Sequence, residues 1–353
     1  MRLLRLVLLG PLSVLYGVVT RVRNLLYDKN ILESKEFPIP VICVGNITVG
    51  GTGKTPHVEY VAGLLSRYSR VAVLSRGYKR RTRGFRIVSP DDNAFMSGDE
   101  PLQIASKLKN VMVAVDTDRV HGIKRLTEIN EDNITVVLDD GFQHRSVRAG
   151  LNIILTDYSR LMTRDHLLPR GRLRESLSGL SRADTIIVTK SPDNLGEEEM
   201  KSITAEISPL PGQNIFFTTF EYGDLMPLFS DRDIHTPGIK EISADTAIVL
   251  VTGIARPESL INYLSAFSGE IIPLTYPDHH FFRQTDITKI TETFYSLKTE
   301  EKMIITTEKD AVRLKDFTNI ASPLRNKFYY LPVRIKFIRD EEKFIKIITD
   351  YAG

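Results

Sequence analysis

The sequence holds a single cysteine, Cys43, inside the apolar run Val41-Ile42-Cys43-Val44. One thiol makes neither an internal disulfide nor a cysteine-based zinc site, which excludes a secreted disulfide scaffold and fits a reducing compartment. No uninterrupted stretch of about 20 apolar residues is present, the length a membrane-spanning helix needs. There is little net charge, +3 over 353 residues, and no internal repeat or low-complexity tract. With 42% hydrophobic and 26% charged residues, disordered, collagen-like and coiled-coil classes are excluded. A chain of this length is expected to form two domains, each burying its own core.

Residues 1–30 carry five cations, Arg2, Arg5, Arg21, Arg23 and Lys29, against one acid, Asp28. Between Arg5 and Arg21 an apolar segment, Leu6 to Thr20, reads as a helix kept short and broken by Gly10-Pro11. No small-residue cleavage site follows Thr20, which argues against a signal peptide. A basic, apolar helix suits the surface of an anionic membrane. A helix packed on the protein core is the alternative these residues leave open.

Pro40 to Asn46 reads as a buried strand running into a turn. Thr48-Val49-Gly50-Gly51-Thr52-Gly53-Lys54-Thr55-Pro56 follows, then a helical pattern through Val58, Val61, Ala62, Leu64 and Leu65. Strand, glycine-rich turn, Gly-Lys-Thr and helix form the context of a Walker A phosphate loop. Backbone N–H groups of Thr48, Gly50, Gly51, Thr52 and Gly53 would turn onto phosphate oxygens, helped by the helix N-terminus. Lys54 would reach the β- and γ-phosphates and the Thr55 hydroxyl would hold Mg²⁺. Thr48 stands where the strict pattern has glycine. A second β-branched run, Ile134 to Leu138, ends in Asp139-Asp140-Gly141, which reads as carboxylates delivered to the phosphate end of a parallel sheet for Mg²⁺.

At this point the residues resemble the tetraacyldisaccharide 4′-kinase (lipid A 4′-kinase) family. The loop from Gly45 to Pro56 carries the resemblance. It continues in Ser75-Arg76-Gly77-Tyr78, Gly98-Asp99-Glu100-Pro101 and Asp139-Asp140-Gly141-Phe142-Gln143-His144. Leu168-Pro169 with Arg174-Glu175, Asp278-His279-His280 and Thr307-Glu308-Lys309-Asp310 complete it, in order along most of the chain. The family loop has threonine at the position of Thr48. The resemblance implies transfer of the ATP γ-phosphate to the 4′-hydroxyl of a tetraacyldisaccharide 1-phosphate. The product would be the lipid IVA precursor, made at the cytoplasmic face of a Gram-negative inner membrane.

A sugar hydroxyl must lose its proton as the new phosphorus–oxygen bond forms, and a carboxylate or histidine is the usual acceptor. The resemblance implies that Asp99 and His279 form this base dyad across a cleft, with Lys54 and Asp139 also catalytic. Taken alone, Asp99-Glu100-Pro101 reads as a helix start and His279-His280 as loop histidines. Thr55, Asp139, Asp140 and Glu100 are the expected metal ligands, and Arg76, Gln143, His144 and Arg174 the expected substrate contacts. Adjacent Asp278, His279 and His280 lack a chelating spacing.

Two basic clusters, Arg76 to Arg86 and Arg160 to Arg174, follow strands that should end near the loop. No nucleic-acid motif accompanies them, and guanidinium suits the phosphates of ATP and an anionic glycolipid. No obligatory protein partner is evident. Apolar runs at 41–44, 71–74, 111–115, 134–138, 151–156 and 185–189 alternate with helical stretches, predicting an α/β fold with a P-loop-type parallel sheet. The proline-containing segment 191–213 is expected to close this domain (31–213). A smaller α/β domain would follow over 214–353, with Ile215–Phe220 and Phe328–Ile335 as a linking ribbon. A P-loop hydrolase and a non-enzymatic lipid-binding protein are the rival readings.

Overall fold

Residues 2–130, 133–229, 238–317 and 319–353 are described by a computed structural model, the side chains of 2–8 excepted. The side chains of Arg2 and Arg5 in the N-terminal basic segment therefore lie outside the description.

All six apolar runs are strands of one nine-stranded sheet. Val41–Gly45 lies in the middle, flanked in parallel by Thr135–Asp139 and Leu151–Asp157. Val71–Ser75 and Met112–Val115 extend it on one side, Thr185–Thr189 and Asn214–Tyr222 on the other, all parallel. Antiparallel strands Arg86–Ile87 and Val333–Phe337 finish the two edges. The strands are β-branched and apolar throughout because both faces are covered. Val41, Ala72, Leu74, Val136 and Leu138 face the helices Arg119–Asn130 and Glu197–Ile207. Ile42, Val44, Val73 and Val137 face Lys54–Leu65, Asp99–Lys107 and Glu341–Ala352.

A second sheet runs Glu270–Thr275, Ala247–Thr252, Lys302–Thr307, Phe328–Leu331 in parallel, with Met226–Pro227 antiparallel at the edge. Helices Gln284–Ser296 and Glu308–Leu314 cover one face and Glu258–Leu264 the other.

The boundary falls differently from the division at 213/214. Asn214–Tyr222 continues the large sheet, and the chain returns to it at Val333–Phe337, paired antiparallel with Ile335 opposite Phe220. Only Phe328–Leu331 of the expected ribbon belongs to the small sheet. The reason is apolar surface: Phe337, Phe344 and Ile348 are buried against the Lys54–Leu65 helix, each such side chain contributing about 2 kcal/mol. The small unit is thus inserted between two segments of the large one.

The N-terminal segment is not broken at Gly10-Pro11. One helix spans Arg2–Asp28 with Pro11 inside. One side docks on the large unit: Ser13 Oγ donates to the Leu167 carbonyl (2.8 Å), Tyr16 Oη to that of Arg174 (2.8 Å), and Asn24 Nδ2 to Glu175 (3.1 Å). Leu12, Val14, Leu15, Val18, Val19, Val22 and Leu25 are exposed. No described helix is long and apolar enough to cross a membrane.

Candidate functional site

The phosphate loop sits at the C-terminal end of the central strand. Gly53 caps the Lys54–Leu65 helix in the left-handed region (φ 84°), and a Cβ there would lie 2.9 Å from the Phe220 ring, so glycine is required twice over. Asn46 Nδ2 donates to Thr52 Oγ1 (2.8 Å), Thr189 Oγ1 donates to the Thr52 carbonyl (2.8 Å), and Val49 N–H to the Arg172 carbonyl (2.8 Å). Thr48 is buried and bridges to Leu173. The loop is therefore held from both flanks. Lys190, one residue beyond its strand, binds the Gly51 carbonyl and Asp157.

Lys54 Nζ points across the loop to Asp140, 3.7 Å from Oδ1. Arg174 holds the same carboxylate at 2.9 Å, and against the upward push of burial these two cations keep Asp140 below the usual carboxylate range. Asp139 differs. It ends its strand buried, accepts from Ser75 Oγ at 2.9 Å, and leaves Oδ1 without a partner. Burial and the neighbouring charges of Glu100 and Asp140 push it up to about 7. A buried carboxylate oxygen without a hydrogen bond, crowded by like charges, has the donor chemistry a hard cation takes. Among the described residues no three His, Cys, Asp or Glu side chains gather into a ready metal cage, so Asp139, Asp140 and Glu100 are not a closed ligand set. Mg²⁺ seldom uses such cages and relies on one or two carboxylates and phosphate oxygens.

Asp99 opens the helix Asp99–Lys107 after Gly98, whose φ of 89° and backbone approach to Gly77 bring the two expected motifs together. His279 comes from the small unit, on the loop after Glu270–Thr275. Its Nδ1 lies 2.8 Å from Asp99 Oδ2. The two side chains are 5% and 16% exposed, so their bond is shielded from water. Burial, then the Lys309 charge, lowers the His279 pKa, favouring the neutral ring. Lys309 Nζ is 3.1 Å from Nε2, and Tyr78 packs edge-on against the imidazole at 5.1 Å. His279, Asp140, Lys79 and Lys190 all have φ between 52° and 59°, a conformation costing side-chain-bearing residues on the order of 1 kcal/mol or more. All four lie at this site.

The remaining expected residues divide. Gln143 Nε2 donates to the Asn46 carbonyl and to Glu175, both at 2.9 Å, and its Oε1 accepts from Arg174. Gln143 and Arg174 thus tie the acidic strand to the phosphate loop. His144 is half-buried and driven down to about 4 by burial and by the charges of Arg119 and Arg76. Arg76 is exposed, and Glu100 lies 3.5 Å from Lys309. Thr55, next in sequence to Lys54, is half-buried. Sequence reasoning named neither Lys309 nor Arg313 as a site residue, although they stand four apart on one helix. Nor did it name Lys107, which joins Glu59, Glu308 and the Val333 carbonyl.

The sheet, its loop and the paired aspartates define a P-loop nucleotide-binding protein. The chain belongs to the tetraacyldisaccharide-1-P 4′-kinase family, LpxK, whose model matches residues 5–352. A tetraacyldisaccharide 4′-kinase of Bacteroides thetaiotaomicron is 46% identical over 351 residues, 98% of this chain and 92% of that protein. One from Flavobacterium johnsoniae is 44% identical over 351 residues, covering 99% and 98%. Among solved structures, the "apo" form of LpxK from Aquifex aeolicus in complex with ATP is similar, with a TM-score of 0.74 and 30% identity. That match covers 99% of this chain and 100% of that one.

Proposed function

We propose that this chain is an ATP-dependent kinase that phosphorylates the 4′-hydroxyl of a tetraacyldisaccharide 1-phosphate, yielding the lipid IVA precursor of lipid A. Family membership supports the reaction, and one observation carries the assignment of residues. Asp99 and His279, from two separate units, meet at 2.8 Å in a water-shielded pair beside the phosphate loop.

In this reading the loop presents the N–H groups of Gly50, Gly51 and Gly53 to the ATP phosphates, those of Val49 and Thr52 being held by the Arg172 and Gly50 carbonyls, and Lys54 neutralises charge on the β- and γ-phosphates. The acceptor 4′-oxygen bonds to the γ-phosphorus while the bond from that phosphorus to the β–γ bridging oxygen breaks. ADP leaves with the electron pair, and the hydroxyl proton passes to Asp99. His279 orients the Asp99 carboxylate. Thr55 and Asp139 would hold Mg²⁺, with Asp140 and Glu100 in the same charge cluster. When bound, Mg²⁺ would offset the charge on the β- and γ-phosphate oxygens. Arg76, His144 and the residues Gln143 and Arg174 line the approach to the acidic strand, where the glycolipid phosphate would sit.

The exposed apolar side of the Arg2–Asp28 helix, with cations Arg21, Arg23 and Lys29 near its end, suits peripheral attachment to an anionic membrane. We place the protein at the cytoplasmic face of the inner membrane, where ATP and a membrane-embedded glycolipid are both accessible. The test is transfer of label from γ-³²P-ATP to a tetraacyldisaccharide 1-phosphate in mixed micelles, with and without Mg²⁺. Mg²⁺-dependent labelled lipid supports the kinase. Phosphate release without labelled lipid points to a hydrolase, and no turnover of either kind overturns the reading.

A further inference from the structure

We propose that Arg313 is a positioning residue for the proton acceptor: it pins one oxygen of Asp99 and leaves the other aimed at the acceptor hydroxyl. This rests on the reading of Asp99 as the base.

Arg313 lies on the Glu308–Leu314 helix of the small unit and is 4% exposed. Its Nη1 donates to the His280 carbonyl (3.1 Å) and reaches Asp310 Oδ1 (3.4 Å). Asp310 is itself locked, accepting from Gly253 N–H (2.8 Å) and Thr307 Oγ1 (2.7 Å). The guanidinium is thereby anchored on its own unit before it meets Asp99. Its Nη2 pairs with Asp99 Oδ2 across the seam.

Lys309, one helical turn earlier, settles which hydrogen atom lies where. An ammonium only donates, so with Lys309 Nζ at 3.1 Å His279 Nε2 is the acceptor and Nδ1 carries the ring proton. That Nδ1–H faces Asp99 Oδ2. Arg313 Nη2 lies 3.3 Å from Nδ1, but a protonated nitrogen offers it nothing, so its partner there is the carboxylate. Imidazole and guanidinium therefore converge on the same oxygen, and neither takes Oδ1.

The other charged groups around Asp99 are Glu100 on its own helix, Asp278 beside His279, Lys79, Lys309 and Asp310. Of these cations, Lys79 reaches the His279 carbonyl and Lys309 reaches Glu100, Asp278 and His279 Nε2, whereas among the described residues Arg313 is the Lys or Arg that contacts the Asp99 carboxylate. A carboxylate held by a cation and an N–H at one oxygen cannot rotate freely, so the direction of the other is set. Asp310, Lys309, Arg313 and His279 all belong to the small unit, and this orientation exists only where the two units meet.

The experiment compares Arg313→Gln, Arg313→Lys and Asp99→Asn in the lipid-labelling assay, with thermal melts of each. Arg313→Gln should lower kcat about 10²-fold while leaving KM for ATP within about twofold, since orientation and not nucleotide binding is lost. Arg313→Lys, which restores a cation to the same place, should recover about tenfold of that loss. Unchanged kcat in Arg313→Gln, or a loss confined to KM, overturns the proposal. Should Arg313→Gln not fold, Arg313→Lys decides alone: a tenth or more of wild-type kcat supports the role, and less overturns it. An Asp99→Asn enzyme with near wild-type kcat would sink the base assignment instead, separately from the Arg313 result.

Discussion

Lys107 Nζ stands 2.9 Å from the Glu308 carboxylate, across the seam between the two units. It also donates to buried Glu59 at 2.7 Å and to the Val333 carbonyl at 2.8 Å, so one ammonium serves three elements. Burial pushes Glu59 up to about 7, with Lys107 pulling against it and Glu308 adding to it. Lys107→Met would strand two carboxylates beside each other. We expect a loss of roughly 3 kcal/mol, the scale for breaking a buried pair, read as a lower urea midpoint at unchanged slope. Adding Glu59→Gln should return part of it. An unchanged midpoint in the single variant would show that the seam is held by packing alone.

Asp99→Asn and His279→Ala should each reduce kcat by about 10² to 10⁴, the range for a general base. ATP affinity, measured by calorimetry, should stay near wild type because neither side chain touches the phosphate loop. The double variant should be little worse than either single one, since the pair acts as a unit. Additive losses would argue for independent roles.

His57 carries a pH prediction. Its Nδ1 donates to the Gly53 carbonyl (2.7 Å) and its Nε2 accepts from Thr218 Oγ1 (3.0 Å), both out of water. Burial lowers its pKa from 6.5 to about 4. The unfolded chain therefore binds a proton that the folded chain refuses between those values. Stability is intact above pH 6.5, falls as pH drops toward 4, and levels below, a total on the order of 3 kcal/mol. Urea titrations at pH 7.5 and pH 5 should show wild type losing about 2 kcal/mol more than His57→Gln over that interval. Parallel slopes would mean that the ring takes its proton without cost.

The outward side of the N-terminal helix is testable by sedimentation with vesicles. Wild type should bind vesicles containing anionic lipid, less tightly at high salt. Replacing Leu15, Val18 and Val22 by serine removes three exposed apolar side chains and should weaken binding by at least about tenfold. Equal binding of wild type and variant would place the attachment elsewhere.

Much of this architecture was legible because periodicity and glycine spacing are local signals. The β-branched runs around Cys43 and Val137 could only be buried parallel strands once a glycine loop followed the first. Pro11 misled. A proline inside a helix costs about 3 kcal/mol, but Ser13, Tyr16 and Asn24 dock the same helix onto residues about 150 positions away, contacts with no local signature. The same holds for Lys107, Lys309 and Arg313. Their importance comes from which element they face, and that depends on two helices, Asp99–Lys107 and Glu308–Leu314, lying side by side. Asp99 and His279 were reached only through ordered motifs, since each alone reads as a helix start or a loop residue. The return of the chain after Leu331 was missed because Val333–Phe337 looks like a continuation of the strand before it. Only the crossing at Pro332 sends it to the other sheet.

That return has a consequence for how the protein is made. The ribosome releases the phosphate loop early, but the wall behind its helix is Phe337, Phe344 and Ile348, and Tyr351 Oη bridges to the backbone of Val41 on the central strand. A nascent chain stalled before residue 333 owns the complete small unit and a large sheet lacking its edge strand and closing helix. The inserted unit is thus free to fold first, and its host is finished only by the segment that follows it. The packing behind the phosphate-loop helix is then laid down late, after the His279 side of the cleft has already been made.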